Sequence, residues 1–213
     1  MGRYIVALTG ASGAAYGRRL VGVLCGAGHD VDLLVTAAGF AVLAHELDWN
    51  DPRYGGAGGL GERCARFFRP PDAPGAVRFH PLHDISDGLA SGSEPVDGMI
   101  VVPCTMGRIA AIATGRSSDL LERSADVALK ESRPLILVPR ETPLSLIHLR
   151  NLTALAEAGA VILPAMPGFY HHPRTLEDVV DFLVAKVCAR LHLPVAAALL
   201  PPWSVLREPP RPG

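Results

Sequence analysis

Short apolar runs alternate along this chain with stretches in which apolar residues recur every three or four positions. The runs predict strands that are buried on both faces of a parallel sheet, and the recurring pattern predicts helices. The alternation of the two predicts an α/β fold, a single domain built on a doubly wound and mostly parallel sheet. The predicted strands are 4–8, 31–35, 77–80, 98–102, 134–138 and 160–163, and the predicted helices are 37–47, 60–68, 109–113, 119–130, 146–155 and 175–191, with one more around Leu20, Val21 and Leu24.

The first predicted strand runs into a small, Gly-rich turn at residues 9–13. In open α/β sheets such a turn lies at the carboxyl edge of the sheet, where ligands bind. Its backbone N–H groups and the N-terminus of the following helix suit an anion, usually a phosphate. A plain turn, in which Gly10 and Gly13 only relieve crowding, is an equal alternative on this evidence.

Polar residues also follow other predicted strands. Thr36, residues 105–108 and the pair Arg140 and Glu141 all stand at such carboxyl ends, as the Gly-rich turn does. These ends converge on one crevice in a doubly wound sheet. Hydroxyls, backbone N–H groups and one arginine suit a phosphate and a planar polar ring system, and Glu141 is a candidate proton donor.

The pattern of motifs narrows the cofactor class. The turn lacks the full G-x-G-x-x-G spacing, and Thr36 stands where a dinucleotide site needs a carboxylate. A mononucleotide such as FMN therefore fits better than a nicotinamide dinucleotide. The chain has no G-x-x-x-x-G-K-[ST] loop and no G-x-S-x-G elbow. Adjacent His171 and His172 lack metal-ligand spacing, so no metal site is predicted.

Composition adds limits on partners and location. The net charge of -1 argues against bulk attraction to nucleic acid or to an anionic membrane. Apolar residues make up 49% and charged residues 19% of the 213 residues, which either a homo-oligomer or a large core would explain. The length favours one domain, residues 1–192, followed by an apolar, Pro-rich tail, residues 193–213, that we expect to pack on a neighbouring subunit.

The same features favour a cytoplasmic protein. No signal-peptide pattern opens the chain, and no apolar stretch approaches the ~20 residues that a membrane span needs. The cysteines are scattered without a C-x-x-C pair, so we expect reduced thiols rather than a zinc or redox motif. They are Cys25, Cys64, Cys104 and Cys188.

Six segments, taken in order, carry a resemblance to a known family. They are T-G-A-S-G-A-x-Y-G at 9–17, S-G-S at 91–93, V-V-P-C-T at 101–105, L-L-E-R-S-A-D-V-A-L-K-E at 120–131, R-P-L-I-L-V-P-R-E-T-P at 133–143 and G-A-V-I-L-P-A-M-P-G-F-Y-H at 159–171. With these motifs the chain resembles the UbiX-type flavin prenyltransferases, formerly classed with aromatic acid decarboxylases. The resemblance covers roughly residues 3–190, and Trp203 also fits it.

This resemblance implies a flavodoxin-like or Rossmann-like flavoprotein fold with bound FMN and no metal. It implies transfer of a dimethylallyl group from dimethylallyl phosphate to N5 and C6 of reduced FMN. The product, prenylated FMN, would serve a separate UbiD-type decarboxylase, and the family suggests a dodecamer. Two alternatives stay open: an FMN-dependent cysteine decarboxylase of the same fold, and a flavin carrier without a reaction of its own.

The resemblance also implies roles for individual residues. Glu46 would reach the site of a neighbouring subunit, Arg123 and Lys130 would neutralise phosphate, and Glu141 would give the phosphate a proton. Ser12 would relay protons at the flavin, and Tyr170 and Lys186 would bind the dimethylallyl phosphate. The residues implied to hold FMN are Gly10, Ala11, Ser12, Thr36, Thr105, Met106, Gly107, Arg108 and Arg140.

The chain departs from the family pattern at four of its positions. Thr36 and Thr105 stand where serine is usual, which keeps the hydroxyl. Lys186 stands where arginine is usual, so the charge is kept while the planar fork is lost. Ile85 stands near the position of a frequent tryptophan, which removes one aromatic wall for an allylic cation.

Overall fold

Six parallel strands form the sheet at the centre of the fold. The computed structural model describes residues 1–56 and 58–200. The strands are β1 (Arg3–Leu8), β2 (Asp30–Val35), β3 (Val77–Phe79), β4 (Gly98–Cys104), β5 (Leu135–Pro139) and β6 (Val161–Ile162). Their order across the sheet is β3-β2-β1-β4-β5-β6. This order confirms the predicted doubly wound α/β sheet of Rossmann type.

Helices alternate with the strands as predicted, although two of them lie between β4 and β5 and only a 3-10 turn lies between β3 and β4. The helices are α1 (Ala14–Gly26), α2 (Ala37–Glu46), α3 (Leu60–Phe68), α4 (Met106–Ala113), α5 (Leu120–Lys130), α6 (Leu146–Glu157), α7 (Leu176–Arg190) and α8 (Val195–Leu199). Several other ends shift by one or two residues, and two larger details differ from the sequence analysis. Helix α4 begins three residues earlier than predicted, because Thr105 caps it, and the short α8 lies in the segment predicted to be a tail.

The central strands are buried on both faces. Every residue of β4 and β5 is buried, which explains why these strands are almost continuously apolar. Leu20 and Leu24 of α1 and Leu120 and Leu121 of α5 are at most 1% exposed. Each such leucine contributes roughly 1.5–3 kcal/mol by leaving water. The core therefore fixes the sheet rigidly, and the loops at its carboxyl edge start from defined positions.

The chain reverses its direction of winding between β1 and β4. It leaves β1 toward β2 and β3 on one side and returns to β4 on the other. The Thr9 hydroxyl ties the two strand ends together: it donates to the Pro103 carbonyl at 2.8 Å and accepts from the Thr105 N–H at 2.9 Å. In open α/β sheets, the crevice outside such a reversal is where ligands bind.

The chain has two compact units, Met1–Ala165 and a second that begins at Met166. The sheet lies in the first unit, and α7 and α8 lie in the second. The division at residue 192 and the docking of the tail stay predictions, and Trp203 lies outside the described residues. Among the residues that are described, none of the helices has both the length and the apolar character that crossing a membrane requires.

Candidate functional site

Three helix N-termini lie at the carboxyl edge of the sheet. Helices α1, α2 and α4 begin within six residues of the ends of β1, β2 and β4, which are neighbours in the sheet. The first N–H groups of a helix have no partner within the helix, and the helix dipole makes this end positive. The edge therefore suits a phosphate and other electron-rich groups.

Two threonines shape this edge as helix caps. The Thr36 hydroxyl accepts a hydrogen bond from the Gly39 N–H at 2.9 Å, and the Thr105 hydroxyl accepts one from the Arg108 N–H at 3.3 Å. Each cap takes up the third N–H group of its helix, and the first two point out of the helix end. At both positions threonine keeps the hydroxyl of the serine that is usual in the family, and this hydroxyl caps the backbone of the helix that follows.

The Gly-rich turn packs closely against the start of α2. A Cβ atom on Gly10 would lie 2.5 Å from the Cβ of Ala38, which is closer than such atoms approach. Gly13 has φ of +108° and precedes α1 in a left-handed conformation that favours glycine. Close packing therefore explains the glycine at position 10. The same packing brings the turn that precedes α1 against the N-terminus of α2.

Glu46, the last residue of α2, reaches back to this turn on its own chain. Its carboxylate accepts hydrogen bonds from the N–H groups of Gly13 and Ala14, both at 2.9 Å, and from the Ser12 hydroxyl. Burial raises the pKa of Glu46, but the hydrogen bonds from the turn and the charge of Arg140 outweigh burial and lower it. On its own chain Glu46 is therefore drawn to the positive end of α1, and its reach to the site of a neighbouring subunit stays a prediction.

Arg140 binds the same Gly-rich turn from another strand of the sheet. It follows β5, and its Nε donates to the Ser12 carbonyl at 3.2 Å. Ser12 is thus held by Arg140 through its backbone and by Glu46 through its hydroxyl. The next residue, Glu141, is half-buried, and its Oε1 accepts from the Thr142 N–H at 3.2 Å. The structure brings these predicted site residues together at the edge of the sheet.

The Arg108 guanidinium has another partner. Its Nη1 lies 2.7 Å from Oε1 of Glu122 and 2.6 Å from Oδ2 of Asp119, at the start of α5. The Glu122 side chain is fully buried, and it also accepts from Arg116 and Ser118. Burial raises the pKa of Glu122, but these hydrogen bonds and the Arg108 charge lower it to about 2. The contacts of the Arg108 side chain thus join α4 to α5.

Arg123 and Lys130 of α5 form a second group with the S-G-S loop. Arg123 donates from Nε to the Ala90 carbonyl at 3.0 Å and pairs with Asp126 at 2.6 Å. Exposed Lys130 lies 3.5 Å from Glu131, and a Cβ on Gly92 would lie 2.3 Å from that carboxylate. The loop thus abuts the end of the helix that carries both predicted phosphate-binding cations.

Tyr170 and Lys186 lie in the second unit, where they share one neighbour. The Tyr170 ring meets the Phe182 ring edge-on with centroids 5.6 Å apart, and Lys186 Nζ lies 5.4 Å from the centroid of the same ring. Phe182 and Lys186 are four residues apart on α7, so they share a face of the helix. These contacts place the two predicted substrate ligands around one aromatic ring.

The residues at the edge of the sheet fit FMN. The starts of α2 and α4 offer N–H groups for a phosphate, and exposed Arg140 adds a positive charge.

The Flavoprotein family matches residues 2–188 of this chain, which defines the class of protein. Flavin prenyltransferase UbiX of Halalkalibacterium halodurans is 48% identical over 89% of this chain and 88% of its own length. The chain therefore belongs to the UbiX flavin prenyltransferase family, as its motifs indicated.

Solved structures agree with this assignment. A UbiX structure in complex with FMN and dimethylallyl pyrophosphate matches 90% of this chain and 93% of its own length, with a TM-score of 0.78 and 38% identity. A dodecameric FMN-dependent UbiX-like decarboxylase from Escherichia coli O157:H7 matches 90% of this chain and 95% of its own, with a TM-score of 0.77 and 36% identity. The first structure contains FMN and dimethylallyl pyrophosphate, and the second is a dodecamer described as a decarboxylase.

Proposed function

We propose that this chain transfers a dimethylallyl group from dimethylallyl phosphate to reduced FMN and passes prenylated FMN to a UbiD-type decarboxylase. The observation that carries the proposal lies at the carboxyl edge of the sheet, where Glu46 and Arg140 both bind the turn that contains Ser12. Family membership supports the same reaction. A cytoplasmic location and freedom from metal belong to the same proposal.

The edge of the sheet holds the flavin. Reduced FMN supplies the nucleophilic positions N5 and C6 when it is bound. The residues that hold it are Gly10, Ala11, Ser12, Thr36, Thr105, Met106, Gly107 and Arg140. Arg108 contributes through its backbone and through the attachment of α4 to α5, because its guanidinium is engaged by Glu122.

Breaking the allylic carbon–oxygen bond leaves negative charge on phosphate. Arg123 and Lys130 stabilise this charge from α5, and Glu141 donates a proton to the departing phosphate. Lys186 grips the phosphate as a point charge, and Tyr170 covers the allylic group with an aromatic face. Each of these groups acts best where water is kept out, since water would quench the cation and screen the charges.

Ser12 relays protons beside the flavin. Its hydroxyl donates to the Glu46 carboxylate, so its oxygen has a fixed orientation and a lone pair free to accept a proton. The lowered pKa of Glu46 keeps that carboxylate ionised and therefore an acceptor. The pair can move a proton to or from Ser12 without moving the backbone.

One anaerobic incubation tests the proposed reaction. Purified protein with reduced FMN and dimethylallyl phosphate should yield a flavin heavier by one prenyl unit, measured by mass spectrometry. An unchanged flavin mass under reducing conditions would refute the reaction. A cysteine decarboxylase would instead release carbon dioxide from a peptide or pantothenate conjugate. A flavin carrier would bind FMN tightly, and dimethylallyl phosphate would leave the flavin spectrum unchanged.

A single side chain at the start of α4 should block flavin binding. Gly107 is exposed, is the second residue of α4, and has open space where a Cβ would stand. Gly107→Leu should fold normally and weaken FMN binding about 100-fold, roughly 2.7 kcal/mol, because leucine fills the flavin's place. Fluorescence titration measures this. Gly61 has the same position on α3 and the same open space, so Gly61→Leu is the matched control and should bind FMN normally.

A homo-oligomer is part of the same proposal. Leu146, Ile147 and Leu149 at the start of α6 are 60%, 67% and 47% exposed and lie together, as an interface between copies would require. Ile147→Arg should shift the mass by light scattering to smaller species. Leu60→Arg alters a lone exposed leucine on α3 and should leave the mass unchanged. Equal masses for wild type and Ile147→Arg would show that this face of α6 is not an interface between copies.

A further inference from the structure

A largely buried chain of ionic contacts joins β1, β2 and the residues that follow β3, and none of its members is among the site residues described above. The Asp32 side chain in β2 is fully buried, and its two oxygens accept from Arg3 Nε at 2.6 Å and from His80 Nε2 at 2.8 Å. The other ring nitrogen of His80 lies 2.6 Å from Oδ2 of Asp87. Arg3 also pairs with Glu94. We call Arg3, Asp32, His80 and Asp87 the His80 network.

This geometry requires a charged imidazole. A neutral histidine has one N–H group, so one of its nitrogens would face a carboxylate oxygen lone pair to lone pair. Burial lowers the pKa of His80, but the hydrogen bonds and charges of Asp32 and Asp87 outweigh burial and raise it above the ordinary 6.5. Arg3 binds the other oxygen of Asp32, and Glu94 pairs with Arg3, so His80 makes its own hydrogen bonds to Asp32 and Asp87.

Asp87 connects the His80 network to the S-G-S loop. While its Oδ2 meets His80, its Oδ1 accepts from the Leu89 N–H at 2.9 Å and caps the turn Gly88–Ala90. The carbonyl of Ala90 then accepts from Arg123, one of the proposed phosphate-binding cations. The loop that follows abuts Glu131, the partner of Lys130. A continuous set of contacts thus runs from His80 to the cations of α5.

We propose that His80 is a positioning residue: as an imidazolium between Asp32 and Asp87 it fixes the loop of residues 87–93 against α5 and so sets where Arg123 and Lys130 meet the leaving phosphate. The role rests on the proposed prenyl transfer. It assigns the control of substrate affinity to a histidine that directly follows β3, the outermost strand on this side of the sheet, and that is not among the proposed flavin or phosphate ligands. FMN binding does not depend on it.

A substitution separates substrate affinity from flavin affinity. His80→Leu should raise the KM for dimethylallyl phosphate about tenfold and leave the FMN Kd unchanged, since misplacement of binding groups by about 1 Å can cost up to ~10²-fold. Arg78 lies two residues earlier in β3 and makes an exposed pair with Asp30 at 2.7 Å. Arg78→Leu is therefore the matched control and should keep the wild-type KM. A wild-type KM in His80→Leu would overturn the role.

The pH profile tests the charge itself. Because the pKa of His80 is raised, the contribution of the imidazolium is complete below the ordinary 6.5 and is lost as pH rises through the raised pKa. The wild-type KM should therefore climb in that range. Asp87→Asn keeps the cap through its amide oxygen and can donate from its amide nitrogen to a neutral His80. This variant should lose the alkaline climb, and an unchanged climb would contradict the role.

A readout without turnover separates this role from the prenyl transfer. Nitrogen chemical shifts of the His80 ring should show an imidazolium at pH 6.5. Amide hydrogen exchange in residues 89–93 should quicken about tenfold in His80→Leu, a loss of roughly 1.4 kcal/mol of local protection, and should stay unchanged in Arg78→Leu. If wild type makes no prenylated flavin, the reaction is refuted while these measurements still decide the positioning. Neutral ring nitrogens or equal exchange would refute the positioning alone.

Discussion

Glu141→Gln should bind FMN like the wild type and slow prenylation by about 10²–10⁴-fold, the usual contribution of a general acid. Glutamine has the shape of glutamate and can keep the hydrogen bond from the Thr142 N–H, 3.2 Å long in the wild type. It has no acidic proton to give to the departing phosphate. Single-turnover measurement of the prenylated flavin under anaerobic conditions gives the rate, and fluorescence titration gives the FMN Kd.

The matched control is a glutamate with the same change and no role in the site. Glu157 is the exposed last residue of α6, and Glu157→Gln should leave both the rate and the FMN Kd unchanged. If Glu141→Gln prenylates at the wild-type rate, the proton reaches the phosphate from another group. If it also loses FMN, Glu141 supports the flavin site and its role as an acid has not been isolated.

The sequence predicted the sheet well because burial on both faces leaves a strong pattern. The run that became β5 is apolar throughout, and every residue of it is buried. The predicted start of α4 was wrong because a single side chain, that of Thr105, determines where the helix begins. Thr105 bonds the Arg108 N–H and so begins the helix three residues before the apolar pattern does. Such a cap was readable, since a threonine at the end of a strand is a helix-start signal.

The site was predictable only as far as topology decides it. The rule for parallel sheets was enough to bring Thr36, Thr105 and Arg140 to one edge. The contact between Glu46 and the turn joins residues more than thirty positions apart, and no local pattern encodes it. The same is true of His80, whose partner Asp32 is 48 positions away. Long-range pairs of charged groups follow from packing, which spacing along the chain does not reveal.

Glu122 is a polar residue that the sequence analysis overlooked although a signal was present. It stands three residues after the cap Asp119, beside Leu120 and Leu121, which face the core. A carboxylate at that place is an expected part of a helix start and of a buried ion pair. Its contacts explain why the Arg108 guanidinium is held at α5, and they make this carboxylate a sensitive point for the whole fold.

Glu122→Gln should lower the free energy of unfolding by about 3 kcal/mol, near the usual cost of removing one partner of a buried ion pair. The change keeps the shape but removes the charge that faces Arg108 and Arg116. For a chain of this length the Tm should fall by roughly 6–12 °C, measured by calorimetry. Glu62→Gln breaks an exposed pair with Arg66 on α3 and should cost less than about 1 kcal/mol.

Acid titration then identifies the charge of Glu122 as the cause. The pKa of Glu122 is depressed from 4.5 to about 2, so its stabilising contribution is complete above 4.5 and is lost as pH falls toward 2. The difference in Tm between wild type and Glu122→Gln should be constant above pH 4.5 and should shrink below it, because wild type then carries a protonated carboxyl in the same place. A difference that persists undiminished at pH 2 would mean that packing, and not ionisation, makes this residue important.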